Sequence, residues 1–205
     1  MARDTQSIVK MSRREGYALH PKAHKALVKR PTPPGQASGG HFRKKASQYS
    51  LQLREKQKVK RLYGLLERQF SKLMKEASRT KGQAGKALLQ KLEQRADNVV
   101  YRSGLAPSRR AARQLVTHGH FMLNGKRFDI PSVELNPGDE LVVRKKSTNT
   151  DYFKRIDDTS PSGEATVSWV NVDRKKLSVK VVALPPREEA EPDINEQLIV
   201  EYYSR

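Results

Sequence analysis

Arg109, Arg110 and Arg113 stand within five residues, and Gln114 follows them. A guanidinium fork donates two parallel hydrogen bonds to one phosphate or carboxylate. Ser108, just before them, is a good helix N-cap. A helix opening there sets Arg109 beside Arg113 and Arg110 beside Gln114, each pair four residues apart. Its inner face is Ala112, Leu115 and Val116. Cations in a first helical turn oppose the helix dipole. A bound phosphate reverses that penalty. Choices that break a local rule concentrate at functional sites, so this spacing points to an anion-binding face.

Other chemistry is less specific. His118 and His120 have a two-residue spacing, with no cysteine and no clear carboxylate beside them, so a polar or RNA-contacting role outweighs a metal site. Asp97 suits the N-cap of a short helix over Asn98–Arg102, with Val99 and Val100 inward and Gly104 as its stop. An ion pair with Arg95 is the other structural reading. A catalytic carboxylate needs a partner acid, base or nucleophile, and none stands nearby. The string Gly82-Gln83-Ala84-Gly85-Lys86 lacks the spacing and the following Ser/Thr of a phosphate loop. We assign no catalytic residue and no small-molecule substrate.

Charge decides the partner class. The chain of 205 residues carries 41 Lys/Arg against 22 Asp/Glu, a formal net charge of +19. Residues 1–61 hold 16 cations and 3 acids; residues 187–205 hold 2 and 6. A basic segment attached to a folded body follows from that asymmetry. Such a surplus draws polyanions, nucleic acid first and an anionic membrane second. Apolar residues are 36% of the chain, low for one continuous core. No apolar run is long enough to span a bilayer. The first residues lack the apolar centre of a secretory signal. With no cysteine in the chain, disulfides and thiolate zinc sites are excluded.

The elements that must position these groups can be traced in order. Residues 30–47 are rich in Pro and Gly, predict an extended loop and end in Arg43, Lys44 and Lys45. One long helix follows: Val59, Leu62, Tyr63, Leu66, Phe70, Leu73 and Met74 recur at helical steps. Gly64 lies inside it, at a cost that a close packing partner would explain. Arg54, Lys58 and Arg61 share a face of that helix, either solvated or set against RNA. A second helix covers about 85–95. After Gly119 the period becomes two. Asn124-Gly125 is the preferred pair for a type I′ hairpin, joining about 120–123 to 126–130. Pro137-Gly138-Asp139 makes another turn before a strand over 140–144. Lys126, Arg127, Lys145 and Lys146 line the rim with the two histidines. Residues 166–184 alternate as a further hairpin. Residues 187–192 read as an exposed acidic stretch. Ile194, Leu198, Ile199 and Tyr202 fit a short closing helix against the helices of 51–95.

Residues 95–143 resemble the small RNA-binding module shared by a ribosomal protein, several pseudouridine synthases, a heat-shock RNA-binding protein and tyrosyl-tRNA synthetases. The likeness rests on Arg95/Asp97, on Ser108 to Leu115 with an extra Arg110, on Leu123-Asn124-Gly125 and on Pro137-Gly138-Asp139. The flanks narrow it. QLREKQKVKRLYGLLERQF (52–70), LEQRADNVVYRSG (92–104), NEQLIVEYYSR (195–205), SRREG (12–16) and PPGQ (33–36) are similar to the bacterial small-subunit ribosomal protein S-four family. The likeness is weakest at 17–31 and 150–190.

That resemblance implies a partner and a place. The family binds the 5′ domain of small-subunit (16S-type) ribosomal RNA early in assembly. It lines the channel through which messenger RNA enters, beside ribosomal protein S-five, and influences decoding accuracy. Arg43, Lys44 and Lys45 match the basic residues that face the channel. Many members hold zinc with N-terminal cysteines; here Val9 and Ser12 occupy two such positions, and His20, His24 and His41 do not replace four thiolates. We expect no metal, no other cofactor and no membrane association, and a cytoplasmic ribosome rather than an organellar one.

The expected fold class is α+β. Residues 1–50 form a basic extended arm, and 51–94 a helical domain completed by 155–205. Residues 95–154 form an inserted module of two helices on a short, mostly antiparallel sheet. Candidate ribosomal RNA contacts are Arg13 and Arg14 in the arm and Arg54, Lys58 and Arg61 on the long helix. In the module they are Arg102, Ser108, Arg109, Arg110, Arg113, Gln114, His118, His120, Asn124, Lys126 and Arg127. The rival readings are an RNA-modifying enzyme built on the same module, and a free RNA chaperone or translational repressor. The remaining sequence is too short for a catalytic domain; a repressor role is compatible with the first reading.

Overall fold

The computed structural model of the chain describes residues 4–35, 46–80, 82–160 and 167–204. The fold is α+β, as the sequence implies. Contacts gather the chain into two units, Met1–Leu88 with Asp193–Arg205, and Leu89–Pro192.

In the first unit the arm is helical where an extended arm was expected. Helix α1 (Ile8–Glu15) stops at Gly16, and α2 (Pro21–Lys29) opens on His20, whose Nδ1 accepts from the Lys22 amide at 3.1 Å. The reason is a small amphipathic pair: Met11, Leu19 and Ala23 are buried. Arg13 turns inward and donates through Nε to the carbonyls of Arg30 and Thr32 at 3.1 and 3.0 Å. Arg14 stays exposed.

The long helix expected after the loop is two helices, α3 (Gln48–Leu62) and α4 (Glu67–Arg79). Gly64 has a positive φ of 66° and nothing lies within 4 Å of where its Cβ would be. It is there to reverse the chain, not to admit a neighbour. The Leu65 amide bonds back to the Lys60 carbonyl at 2.9 Å, the signature of a glycine-terminated helix. The apolar stripe kept its period across the break, which is why periodicity alone joined the two.

Helix α5 spans Ala84–Glu93, and the contact division falls within it. The basic stripe of α3 is partly buried and engaged with acceptors of its own unit. Arg54 and Arg61 both pair with Glu15, whose side chain is 0% exposed. Burial pushes that carboxyl above its usual range, although Arg54 and Arg61 pull the other way. Lys58 bonds Glu55 at 2.9 Å and the Asp193 carbonyl at 2.6 Å.

The second unit holds α6 (Ala96–Arg102), α7 (Arg109–Thr117), β1 (Phe121–Leu123), β2 (Lys126–Phe128) and β3 (Glu140–Val143). Three single turns follow, α8 (Lys145–Thr148), α9 (Asp151–Lys154) and α10 (Ile156–Thr159), then β4 (Val170–Asp173) and β5 (Ser178–Val181). Asp97 is not the cap of α6: the helix begins at Ala96, and Asp97 lies in its first turn. Asn124 (φ 48°) and Gly125 (φ 78°) form the two-residue tip between Leu123 and Lys126, both in the left-handed region a type I′ turn demands.

The late hairpin belongs to this sheet. All strands pair antiparallel in the order β2-β1-β3-β5-β4, with Leu141 opposite Val179. Residues 155–192 therefore group with the module, where 155–205 was expected to complete the helical domain. Without β5, β3 would present an unpaired edge. Leu141, Val143, Val179, Val181, Phe121 and Trp169 are buried in the core beside Val99, Val100, Ala112 and Val116. Arg174 staples the connecting turns: it pairs with Asp157 at 2.8 Å and donates to the carbonyls of Gly104, Ile156 and Ser160.

The closing helix α11 (Glu196–Tyr203) opens on Asn195, which accepts from the Gln197 amide at 3.1 Å. It returns to the first unit and lays Tyr202 against Lys56, whose Nζ is 4.4 Å from the ring centroid. The Tyr203 hydroxyl donates to Glu67 at 2.8 Å. Gly64→Ala should lower stability by about 1 kcal/mol, because a Cβ strains the left-handed conformation. A urea midpoint equal to wild type would show that the turn tolerates a side chain.

Candidate nucleic-acid interface

Helix α7 is built as its sequence implies at its start. Ser108 Oγ accepts from the Ala111 amide at 3.2 Å. Ala112 and Val116 are buried beneath it. Its arginines do not all face outward, however. Arg109 donates through Nε to Asn98 at 2.9 Å and through Nη2 to Glu191 at 2.7 Å, and its guanidinium lies 4.5 Å from the centroid of Tyr101. Arg113 reaches Asp97 at 3.4 Å. Burial presses its pKa down and Asp97 counters that pull. Of the three, Arg110 is the exposed one, and Gln114 is exposed one turn later.

The remaining module candidates divide in the same way. Arg102 forks onto Glu93 with two bonds of 2.9 Å. Glu93 also accepts from Asn98 Nδ2 at 2.7 Å, and its side chain is 2% exposed. Arg95 grips Asp97 with bonds of 3.1 and 3.0 Å, the ion pair that stood beside the capping reading. Asn124 serves the fold: its Nδ2 donates to Asp139 at 2.8 Å and its Oδ1 accepts from the Glu140 amide at 2.9 Å. The acidic stretch 187–192 is only partly exposed, because Glu191 is drawn onto Arg109 and Arg102.

A second basic group gathers around Gly119. The Arg127 guanidinium is 3.2 Å from where a Cβ on Gly119 would sit, so glycine makes room for it. Arg144 Nη1 donates to the Gly119 carbonyl at 3.0 Å. His118 is exposed, and its ring centroid is 6.1 Å from that of His120. His120 Nδ1 lies 3.0 Å from Ser147 Oγ, and its ring meets Phe153 edge-on at 5.8 Å. Burial, then His118 and Arg144, hold the His120 pKa below its ordinary value of 6.5. Lys126, Lys145 and Lys146 are exposed.

The structure therefore brings His118, His120 and Arg127 together. Sequence reasoning missed Arg144, although the run Arg144-Lys145-Lys146 directly after a strand was a usable signal. It also missed Glu93 and Glu191, whose roles depend on distant partners. Arg13, Arg14, Arg54, Lys58 and Arg61 belong to the other unit. Arg43, Lys44 and Lys45 lie outside the described residues. Among those described, no group of His, Asp and Glu stands ready for a metal ion. No described helix is long and apolar enough to cross a membrane.

Two outcomes follow from this geometry. Glu93→Ala leaves Arg102 and Asn98 without their buried carboxylate and should cost about 3 kcal/mol; an unchanged thermal midpoint would refute the clamp. For His120 the neutral ring is preferred in the fold. Its contribution to stability is therefore present above about pH 6.5 and lost as pH falls through the lowered pKa. An NMR titration of the free protein should place His120 below 6.5. A midpoint at or above 6.5 would contradict the burial of its ring.

Comparison with known proteins gives the lineage. Residues 3–93 match the ribosomal protein S4/S9 N-terminal domain, and residues 94–141 match the S4 domain. The small ribosomal subunit protein uS4 of Chlorobaculum tepidum is 49% identical over 205 residues, covering all of both chains. The uS4 proteins of Roseiflexus sp. (strain RS-1) and Chloroflexus aurantiacus are 47% and 48% identical over 206 residues, again across both whole chains. Two adjoining domain matches and likeness of this extent agree with the capped arginine helix and Asn-Gly hairpin of the second unit, and the chain belongs to the uS4 family of small ribosomal subunit proteins.

Proposed function

We propose that this protein is a structural component of the small ribosomal subunit that binds the 5′ domain of its ribosomal RNA early in assembly. The observation that carries the reading is the exposed row of Arg110 and Gln114 on α7 and His118 at its C-cap, with Lys126 and Arg127 beyond it. Arg110 sits in the first turn of a helix, where free amides already favour an anion. A phosphate there turns an unfavourable charge into a paired one. Recognition is electrostatic and geometric: the face reads the spacing of phosphates more than base identity. Binding releases counterions, so affinity falls steeply with salt.

Finer roles rest on family membership. The protein lines the channel through which messenger RNA enters, next to ribosomal protein S-five, and affects decoding accuracy. Arg43, Lys44 and Lys45 are the residues assigned to messenger RNA, and its site of action is the cytoplasmic ribosome. The chemistry needs no catalytic group and no cofactor.

Because Arg109 and Arg113 hold internal carboxylates, the clean test spares them. Combined reversal of Arg110, Lys126 and Arg127 to Glu should weaken binding to a 5′-domain RNA fragment by at least about thirtyfold, and should reduce the salt slope by about two. Equal affinity with an intact fold would overturn the interface. Alanine at Arg43, Lys44 and Lys45 should leave incorporation into subunits unchanged and alter messenger RNA contact. Failure to enter subunits would refute that division of labour.

A further inference from the structure

Two carboxylates serve the same pair of arginines, and they are held very differently. Glu93 is the last residue of α5, is 2% exposed, and is fixed by the Arg102 fork and by Asn98. Glu191 lies 2.7 Å from Arg109 Nη2 and 3.5 Å from Arg102 Nη2, and is 18% exposed. It sits on a strap between Pro185-Pro186 and Pro192 whose single regular feature is a 3-10 turn, Arg187–Glu189. Strap segments with little regular structure open at low cost compared with core helices.

Arg109 is already aimed. Its plane rests on Tyr101, its Nε is fixed on Asn98, and its Nη2 points to a carboxylate oxygen. A phosphate oxygen satisfies a guanidinium nitrogen in the same way as a carboxylate oxygen. Arg110, exposed on the next residue, adds positive potential beside that position. We propose that Glu191 is an internal stand-in for an RNA phosphate, occupying Arg109 in the free protein and yielding it when RNA binds. This deepens the RNA-binding reading above and rests on it. Its effect is selectivity. A loosely held polyanion must displace Glu191 for one contact and gains little. An RNA that fixes a phosphate there through neighbouring contacts gains Arg109 as well. Glu191 thus raises the threshold for non-specific binding on a chain of net charge +19.

The test uses the full chain and two RNAs of equal length, a 5′-domain fragment and an unrelated duplex. Glu191→Gln should bind the unrelated RNA about fivefold tighter, with a salt slope steeper by about one, and should discriminate less between the two RNAs. Glu188→Gln makes the same charge change on the exposed side of the strap and should shift neither affinity beyond about twofold. In an Arg109→Gln background the Glu191→Gln gain should vanish. The proposal is overturned if Glu191→Gln binds no tighter than wild type, if Glu188→Gln matches it, or if the gain survives without Arg109. Hydrogen exchange of wild type adds a readout that needs no variant: amides of 187–191 should exchange faster once the 5′-domain fragment is bound, and equal or slower exchange counts against the displacement. Failure of wild type to prefer that fragment would refute the proposed function itself, and is read separately from the effect of the variants.

Discussion

Among the described residues, each of the most deeply buried carboxylates faces two guanidinium groups. Glu15 meets Arg54 and Arg61, Glu93 meets Arg102 and Arg109, and Asp97 meets Arg95 and Arg113. An isolated buried charge is prohibitive, and one partner seldom satisfies all the lone pairs of a carboxylate. A second guanidinium adds donors, although Glu15 Oε2 still has no hydrogen-bond partner. The Glu15 and Asp97 clusters each keep one positive charge in surplus, and Glu191 balances the Glu93 cluster. The fold is thus joined internally without neutralising the field that attracts RNA. That ratio suits a chain with 41 basic and 22 acidic residues. It also explains why a count of arginines overstates the free ones.

Local chemistry was legible in the sequence wherever a residue acts within its own turn. Ser108 caps α7 because its hydroxyl reaches an amide three residues on, and nothing distant competes. Asn124-Gly125 turns the chain because both positions need positive φ. Gly64 shows the limit. Its neighbours keep a helical period, so the pattern joined α3 and α4 although the backbone reverses there. The arm was misread for a related reason: a short pair of helices needs few apolar residues, and its high charge masked Met11, Leu19 and Ala23.

What the sequence hid was pairing at long range. Leu141 faces Val179 across a sheet, yet 38 positions separate them in the chain. Alternation shows that each strand has a buried face, not which strand covers its edge. The same holds for the interface. Helical spacing put Arg109 and Arg113 side by side on a surface. Their burial against Glu191 and Asp97 follows from where the strap and α6 lie. Sequence spacing found the helix and its Ser108 cap, but set outward two arginines that the fold turns onto carboxylates.

The first unit is closed by α11, which packs on α3; Glu201 there accepts from Gln52, 149 residues earlier in the chain. Every core residue of the second unit lies before that helix in the order of synthesis. The sheet and its two helices close over shorter sequence separations than those between α3 and Tyr202 or Tyr203. Contacts closed over such a distance form late, because loop entropy must be overcome first. The core of the second unit is thus complete without any residue of the closing helix.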